Sequence, residues 1–556
     1  MADATYDAIV IGGGANGLLA ALYLQDAGFK TAIFERNMEI GGGLCGDEVP
    51  LPGFLMNTCA TNVRFYSTPC YEDFKLGEYG LSQVFPKAGQ GMIFDDETCL
   101  VTYPVYEVVD LKTGRAEKSQ ENVEKTVREI SRFSKRDAEA ALDLIERVEK
   151  KWRAAYRNYM FNPPTPWGTP DALEELLDDP KYGIEPRWSV MTAAEFIYEL
   201  FESPEMQCYM MRAWQTSTGN WPDDAMGLFN LVHTVIVALN VTPPAAVRGG
   251  SHAVAHAIQR AFSDRGGKFF VLSEVDRILV ENGKAKGVRL ADGSEIEATK
   301  CVVSDVDCNQ TFLRFVGEKE FDHKFVRKVK NIRYDRMSAA FWGMLALHEL
   351  PKYKAEAFNP DCAAMPRTLI GPKDPFYLAE VQKLDAFTMG IPRKLCWWAG
   401  PESIWDRSRA PEGKHFVEVE QYTGNRRFFT DEQWLEMKKY TYPKELIRQY
   451  QIYAPNITED NVIAHYFDTP PDIMRRNLNF VDGCVSVGAM MPSQMGRFRP
   501  FPEISNYRTP IQGLYLCGAT THVGGGIRGS CGYNCYKVIS SDFGLKKHWE
   551  EAGRTY

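Results

Sequence analysis

Residues 6–36 read YDAIVIGGGANGLLAALYLQDAGFKTAIFER, and this stretch decides the fold of the first part of the chain. A short apolar run at 8–11 precedes a glycine-rich turn and an amphipathic helical pattern. A second apolar run at 31–34 follows and ends in an acidic residue. Two short apolar runs around a helical stretch are typical of a βαβ unit. The stretch therefore predicts an α/β fold whose first strand leads directly into a helix.

The glycines of this turn have the spacing Gly12-x-Gly14-x-x-Gly17. In a dinucleotide-binding turn, the first glycine permits the tight turn and the second lets a pyrophosphate approach the backbone. The third lets the helix pack close to the strand. The helix N-terminus supplies unpaired N–H groups and partial positive charge. Glu35 follows at the position where a carboxylate accepts hydrogen bonds from the adenosine ribose. A tight turn with no ligand is the alternative.

Two further glycine-rich segments indicate which dinucleotide is bound. Gly41-Gly42-Gly43 follows the acidic residue closely, which is typical of FAD sites because the backbone must pass near the phosphate and ribitol. A surface turn is the alternative. Far downstream, a short strand at 513–518 leads into a glycine-rich turn that extends to residue 532 and then into a helix. The N-terminus of that helix would favour the negative charge that a flavin gains on reduction.

The composition excludes several classes of protein. With a formal net charge of −9 over 556 residues and no basic block, the chain lacks the phosphate contacts of a nucleic-acid binder. Its 13 cysteines show neither a CxxC pair nor zinc-type spacing, which predicts free thiols, no metal site and a cytoplasmic location. No secretory signal and no apolar run of about 18 residues is recognisable. Peripheral membrane contact and homo-oligomer formation stay open.

The middle of the chain changes character twice. From about 122 to 156 the apolar spacing predicts helices, and Ser134 with Asp137 indicates an N-terminal cap between two of them. After about 248, short apolar runs with turns at 282–283 and 292–293 predict β-hairpins. The aromatic-rich part at about 325–475 is expected to mix strands and helices.

Several motifs together resemble the phytoene-desaturase-like FAD oxidoreductases. They are GGGANGL at 12–18, ERN…GGG at 35–43, LPGF at 51–54, RGGSHAVAHAI at 248–258, DVD at 305–307 and YRTPIQGLYLCGATTHVGGGIRGSCGYN at 507–534. The group includes carotenoid desaturases and isomerases, retinol saturase and the branch of pyridine-nucleotide-disulphide-oxidoreductase-domain protein 2. Asn16-Gly17-Leu18 is most similar to that last branch. The motifs cover nearly the whole chain in the expected order.

The resemblance implies a mixed α/β architecture of the amine-oxidase and dissociation-inhibitor type. A discontinuous Rossmann-type FAD-binding domain is expected at 1–75, 246–325 and 476–556. A substrate-binding lobe of mixed sheet and helices, inserted twice, is expected at 76–245 and 326–475.

The resemblance also implies which residues hold noncovalent FAD. We expect Gly12, Gly14, Ala15, Asn16 and Gly17 at the pyrophosphate, Glu35 at the adenosine ribose, Arg36, Gly42, Gly43 and Leu44 at the phosphate and ribitol, Val275 at the adenine, and Gly518, Gly525, Gly526 and Ile527 along the pyrophosphate and isoalloxazine.

The expected reaction is hydride transfer from a C–H bond of a hydrophobic or semi-polar small molecule, terpenoid-like, carotenoid-like or cyclic, to the flavin. Val523 and Arg528 stand where carotenoid desaturases commonly have proline. Arg528 either holds a polar group of the substrate or forms a structural ion pair. His522 and Tyr533 are candidate acid/base groups, and hydrogen bonding to backbone or ribityl oxygens is the alternative for His522.

The chain has one dinucleotide fingerprint, so oxygen or a quinone is the expected electron acceptor rather than NAD(P). Three other functions stay open on the sequence alone. They are an FAD-dependent isomerase or saturase, an amine or alcohol oxidase, and a non-catalytic isoprenoid-binding protein.

Overall fold

A computed structural model describes residues 2–61, 63–111, 114–334 and 340–556. Its strands are β1 (Ala4–Ile11), β2 (Thr31–Phe34), β3 (Asp47–Glu48), β4 (Leu55–Met56), β5 (Gln83–Val84), β6 (Gln90–Phe94), β7 (Cys99–Val101), β8 (Tyr106–Asp110), β9 (Arg115–Lys118), β10 (Ala246–Val247), β11 (Lys268–Phe270), β12 (Val275–Glu281), β13 (Lys284–Leu290), β14 (Glu295–Ser304), β15 (Ala340–Leu347), β16 (Arg367–Gly371), β17 (Trp397–Gly400), β18 (His415–Tyr422), β19 (Val462–Asp468) and β20 (Leu514–Leu516). Its α-helices are α1 (Ala15–Asp26), α2 (Pro69–Asp73), α3 (Gln120–Ser131), α4 (Lys135–Arg147), α5 (Arg153–Met160), α6 (Ala193–Leu200), α7 (Pro204–Thr218), α8 (Gly227–Ala238), α9 (His252–Asp264), α10 (His323–Lys330), α11 (Gln382–Met389), α12 (Asp431–Glu436), α13 (Tyr442–Tyr453), α14 (Pro470–Arg476), α15 (Ser530–Phe543) and α16 (His548–Glu551).

The first sheet is built around the predicted βαβ unit. Its strand order is β11-β2-β1-β14-β13-β12, and β20 pairs with the end of β14. Strand β1 pairs in parallel with both β2 and β14, and the β11–β2 and β14–β20 pairs are parallel too. Strands β12, β13 and β14 are joined by antiparallel pairs, with turns at the two predicted positions. The predicted α/β fold is confirmed.

Helix α1 is buried on nearly all sides, so the prediction of an amphipathic helix is wrong. Residues 17–24 of α1 are all buried, because the neighbouring strands, α9 and α15 all contact the helix. Gly17 permits this close packing: a Cβ atom added there would lie 2.3 Å from the carbonyl oxygen of Gly12.

The second sheet combines two separate segments of the chain. Its order is β19-β15-β18-β17-β16-β6-β7. Strands β6 and β7 come from residues 90–101, and the other five come from residues 340–468. The parallel pair between β16 and β6 joins the two segments. A substrate lobe inserted twice is consistent with this topology, and the exact domain boundaries given above stay predictions.

Helices α3, α4 and α5 confirm the helices that the sequence predicts at about 122–156, and α6, α7 and α8 continue the helical part. The Ser134 hydroxyl accepts a hydrogen bond from the Asp137 backbone N–H (3.1 Å), which confirms the predicted cap at the start of α4. Helix α8 contains the most apolar stretch of the sequence, and its residues 229–238 are all buried. Of the helices within the described ranges, none is both long enough and apolar enough to cross a bilayer.

Candidate functional site: an FAD cradle joined to an arginine-rich pocket

A cavity of about 530 Å³ connects the first sheet to the second sheet and to helices α5 and α8. One end is lined by the glycine-rich turn after β1, and the other by side chains of α5, α8, β16 and β18. The two ends differ in chemistry, because the first presents backbone and the second presents aromatic, apolar and arginine side chains.

The first glycine turn and the second glycine segment lie against each other. Gly12 has a φ of +94°, which favours glycine in this turn. The Gly41 backbone N–H donates to the Gly13 carbonyl at 2.7 Å. A Cβ atom added at Gly42 would lie 3.0 Å from the Gly14 Cα. Side chains at these positions would fill the space beside the N-terminus of α1, so the backbone forms a cradle at which a phosphate can bind.

Glu35 is held by the backbone at the end of β2. Its Oε2 accepts from the Gly13 N–H and its Oε1 accepts from the Asn37 N–H, both at 2.8 Å. Each oxygen keeps a further lone pair, and the carboxylate lines the cavity. This geometry fits the predicted acceptor for ribose hydroxyls. Arg36 and Val275 line the same end of the cavity.

The C-terminal glycine turn reaches the same cavity from the far end of the chain. It follows β20, where the Cys517 N–H donates to the Ser304 carbonyl at 2.8 Å. At the start of α15, the Gly532 N–H donates to Asn16 Oδ1 at 3.4 Å, which brings the N-termini of α1 and α15 together. A Cβ atom added at Gly525 would lie 2.8 Å from the Ser486 Cα, so the turn fits tightly there.

Asp305 lies between the end of β14 and the N-terminus of α1. Its N–H donates to the Ile11 carbonyl at 2.9 Å, and its carboxyl group accepts hydrogen bonds from the Gly14 and Gly17 N–H groups. Burial, reinforced by the charge of Glu35, outweighs these bonds and raises the pKa of Asp305 to about 8. The group is therefore mostly protonated at neutral pH, and the positive end of α1 stays available to an anion.

Most of the predicted cofactor residues are brought together by the fold. The cavity is lined by Gly12, Gly14, Ala15, Asn16, Glu35, Arg36, Gly42, Gly43, Val275, Gly525, Gly526 and Ile527. Gly17, Leu44 and Gly518 are not among its lining residues. Gly17 and Gly518 pack against Asp305, and Leu44 is fully buried in the core. These three residues shape the turns and do not face the cavity.

A hydrogen-bonded chain of three side chains lies at the other end of the cavity. Arg528 donates through Nη2 to His233 Nε2, and the Tyr156 hydroxyl lies 2.8 Å from His233 Nδ1. Burial, with the nearby charge of Arg528, lowers the pKa of His233 well below its usual value, so the imidazole is neutral. Since Arg528 can only donate, His233 accepts at Nε2 and donates from Nδ1 to Tyr156. The Tyr156 hydroxyl proton is left to point elsewhere.

His522 and Tyr533 do not belong to the described lining of the cavity. His522 is buried beneath the turn, and its Nε2 donates to the Tyr159 carbonyl at 2.8 Å. Burial lowers the pKa of His522 to about 4. The Tyr533 hydroxyl donates to the Tyr556 carbonyl at 3.2 Å, and burial raises the pKa of Tyr533. The geometry gives no support to an acid/base role for either residue, whereas Arg528 does line the cavity.

Sequence reasoning missed four side chains of this pocket: Tyr156, His233, Arg64 and Arg367. A signal existed for His233, which is the one ionisable residue of the apolar helix α8. A buried polar residue on an apolar helix indicates an interior partner. Neither arginine belongs to a motif, and nothing in the local sequence distinguishes them from surface arginines.

Comparisons with known proteins show which family the chain is similar to. Residues 16–304 match the family model of the flavin containing amine oxidoreductases. The mouse (Mus musculus) pyridine nucleotide-disulfide oxidoreductase domain-containing protein 2 is 28% identical over 570 residues, covering 97% of this chain and 94% of that protein. A limonene dehydrogenase subunit of Castellaniella defragrans is 27% identical over 570 residues, covering 98% of this chain and 96% of that subunit.

A solved structure of a putrescine oxidase mutant has the same fold, with a TM-score of 0.59 at 12% identity over 97% of this chain and 98% of that one. The expected resemblance is confirmed, and the branch that Asn16-Gly17-Leu18 indicates stays a prediction. The paired glycine turns, the N-terminus of α1 and the Glu35 carboxylate fit a flavin dinucleotide. The chain is therefore an FAD-dependent oxidoreductase and belongs to the flavin containing amine oxidoreductase family.

Proposed function

We propose that this protein is a dehydrogenase or desaturase that oxidises a C–H bond of a hydrophobic or semi-polar organic molecule. The observation that carries the proposal is the continuity of one cavity from the glycine cradle to a pocket walled by Ile236, Val237, Trp342 and Tyr422. Such walls suit a mostly apolar molecule. The similarity to a limonene dehydrogenase subunit, named for a terpene, supports this class of substrate.

The residues of the chain supply binding and orientation. Bound FAD supplies the hydride acceptor for the reaction. The backbone at Gly12, Gly14 and Gly525 would hold the dinucleotide, and Glu35 would accept hydrogen bonds from its ribose. The apolar walls exclude water from the substrate and fix its position.

The chain of Arg528, His233 and Tyr156 orients a polar atom of the substrate. Because His233 donates to Tyr156, the Tyr156 hydroxyl proton is free to bond an oxygen atom in the cavity. Arg528 is held by the Gly525 carbonyl at 2.7 Å as well as by His233, so its guanidinium is fixed in place. Arg528 and the Tyr156 hydroxyl together favour one orientation of a substrate that carries a carbonyl or hydroxyl group.

Anaerobic bleaching of the flavin absorbance tests this function. Holoenzyme is mixed without oxygen with terpenoids, phenolics, cyclic ketones and amines, and we expect one class to bleach the flavin stoichiometrically. A purified protein that contains no FAD and does not bind added FAD would contradict the proposal. So would a holoenzyme that converts a substrate with no change of flavin redox state.

The acceptor is inferred to be oxygen or a quinone. The supporting observation is the single dinucleotide fingerprint, since exchange with NADPH usually needs a second nucleotide site. After substrate has bleached the flavin, its colour should return on mixing with oxygen or a soluble quinone, whereas mixing with NADP⁺ should leave it bleached. Fast reoxidation by NADP⁺ would contradict this inference.

A further inference from the structure

Arg64, Arg367 and Arg528 are among the arginines that line the cavity, and the guanidinium groups of the first two have unused donors. Arg528 is engaged with Gly525 and His233. Within the described part of the chain, Arg64 donates only through Nε, to the Pro243 carbonyl at 3.2 Å. The guanidinium of Arg367, the first residue of β16, has no hydrogen bond or ion pair with any of the residues that the structure describes. Both Nη groups of Arg64 and the whole guanidinium of Arg367 are therefore available to a ligand.

Acidic groups of the described cavity lining balance this positive charge only in part. Glu420 is the carboxylate at this end of the described cavity lining. Its negative charge favours the charged form of Arg367, but it is shared with the fully buried Arg212, with which it pairs at 3.8 Å. Burial, and then repulsion from Arg64, lowers the pKa of Arg367 to about 10, so the group stays charged at neutral pH. Burying an unpaired charge is costly unless an opposite charge accompanies it. The pocket therefore favours an anion.

The dinucleotide does not account for these two arginines. Its cradle is formed by turns that follow β1 and β20 of the first sheet, whereas Arg367 begins a strand of the second sheet. Arg64 is anchored to Pro243, whose carbonyl also accepts from Tyr66. The anion that these arginines suit therefore enters with the substrate.

We propose that the substrate carries a carboxylate, which Arg64 and Arg367 bind while its apolar body lies along the walls of the cavity. This inference rests on the proposed function, since it names the substrate class of the same site. A planar carboxylate matches the forked donors of a guanidinium, and charge-assisted pairs of this kind are the strong hydrogen bonds of proteins. The expected substrate is thus an organic acid with an apolar body, in contrast to a hydrocarbon such as a carotene.

Two probes of equal length test the proposal on the FAD-loaded protein: octanoate and octanamide. Each is titrated into the holoenzyme, and binding is followed by calorimetry and by the change in flavin absorbance. We expect octanoate to bind at least about tenfold more tightly than octanamide, since a charge-assisted hydrogen bond contributes more than a neutral one. R64Q and R367Q should each reduce this preference by about tenfold.

Two further variants keep the test decisive. R367K retains the charge and should keep part of the preference even if R367Q does not fold. R136Q removes an exposed arginine that pairs with Glu202 at 3.3 Å, and it should leave the preference unchanged. Equal affinity for both probes would overturn the proposal. So would a preference that survives in the R64Q/R367Q double variant, or full displacement of octanoate by an equal concentration of inorganic phosphate.

Failure of this inference is distinguishable from failure of the proposed function. Probe binding needs no turnover, so the octanoate preference can be measured even if no compound bleaches the flavin. If only uncharged compounds bleached the flavin and organic acids did not, the proposal of a carboxylate substrate would be overturned. The proposed oxidoreductase function would be unaffected.

Discussion

Asp305→Asn should flatten the pH dependence of stability. Asp305 is buried against the N-terminus of α1, and its carboxyl group accepts from the Gly14 and Gly17 N–H groups. An asparagine keeps the size of the side chain and an oxygen that accepts those bonds, but it cannot ionise. The variant therefore isolates the effect of one titrating group.

The magnitude follows from the difference in pKa between folded and unfolded chains. Burial raises the pKa of Asp305 to about 8 in the folded protein, whereas an unfolded aspartate has a pKa of about 3.9. The stabilising effect is complete below the unfolded pKa and is lost as the pH rises towards the folded pKa. Between about pH 5 and pH 7 the unfolded chain has released the proton and the folded chain retains it. The free energy of unfolding should fall by about 1.4 kcal/mol per pH unit because of this group.

Urea unfolding followed by tryptophan fluorescence measures this effect at about pH 5, 6 and 7. The FAD-saturated protein can be used, because a bound pyrophosphate would raise the pKa of Asp305 further and leave the slope in this window unchanged. Relative to D305N, the wild-type protein should lose about 2.7 kcal/mol across the window. The control E281Q makes the same chemical change at an exposed position at the end of β12 and should follow the wild-type slope.

If the free energy of unfolding changed with pH in the same way for wild type and D305N, this reasoning would be refuted. They would mean that Asp305 is already ionised in the folded protein at pH 5. The N-terminus of α1 would then be neutralised by an internal carboxylate, and the phosphate cradle would need another source of positive potential.

Three other predictions concern the two ends of the cavity. G14V should abolish FAD binding, because the first carbon of a side chain at Gly14 would lie 2.4 Å from Asp305 Oδ2 in the phosphate cradle; a normal ratio of flavin to protein absorbance would contradict this placement. R528A should keep its FAD and lose at least about tenfold in kcat/KM for a polar substrate, and unchanged kinetics would show that Arg528 is structural. H522Q should leave the pH–rate profile around neutrality unchanged, because burial lowers the pKa of His522 to about 4; loss of an ionisation near neutral pH would restore His522 as an acid/base candidate.

Local chemistry explains why the cofactor end can be predicted. A tight turn between strand and helix needs particular backbone angles and close packing, and Gly12 and Gly17 meet these needs within a few positions of each other. Glu35 follows at a distance set by one helix and one strand. Because these relations are short in sequence, the βαβ unit and the glycine cradle are recognisable from the order of the residues alone.

The burial of α1 could not be predicted from its own sequence. Its sequence pattern indicates an amphipathic helix, but the helix is buried on nearly all sides because α9 and α15, from distant segments, also cover it. His522 and Tyr533 show the same limit. Their position next to the C-terminal glycine turn suggests that they face the flavin, yet their side chains point into the core, away from the lining of the cavity.

The sequence by itself determined the α/β class, the glycine cradle, its acidic partner and the kind of cofactor, because each depends on residues close together along the chain. The tertiary structure alone decided the chemistry of the substrate pocket. His233 and Arg528 are 295 positions apart, and Arg64 and Arg367 come from separate segments. Their convergence depends on how two sheets and several helices pack, and on how burial changes the pKa of each group. No local pattern encodes either, so the positive charge of the pocket becomes visible only in the folded protein.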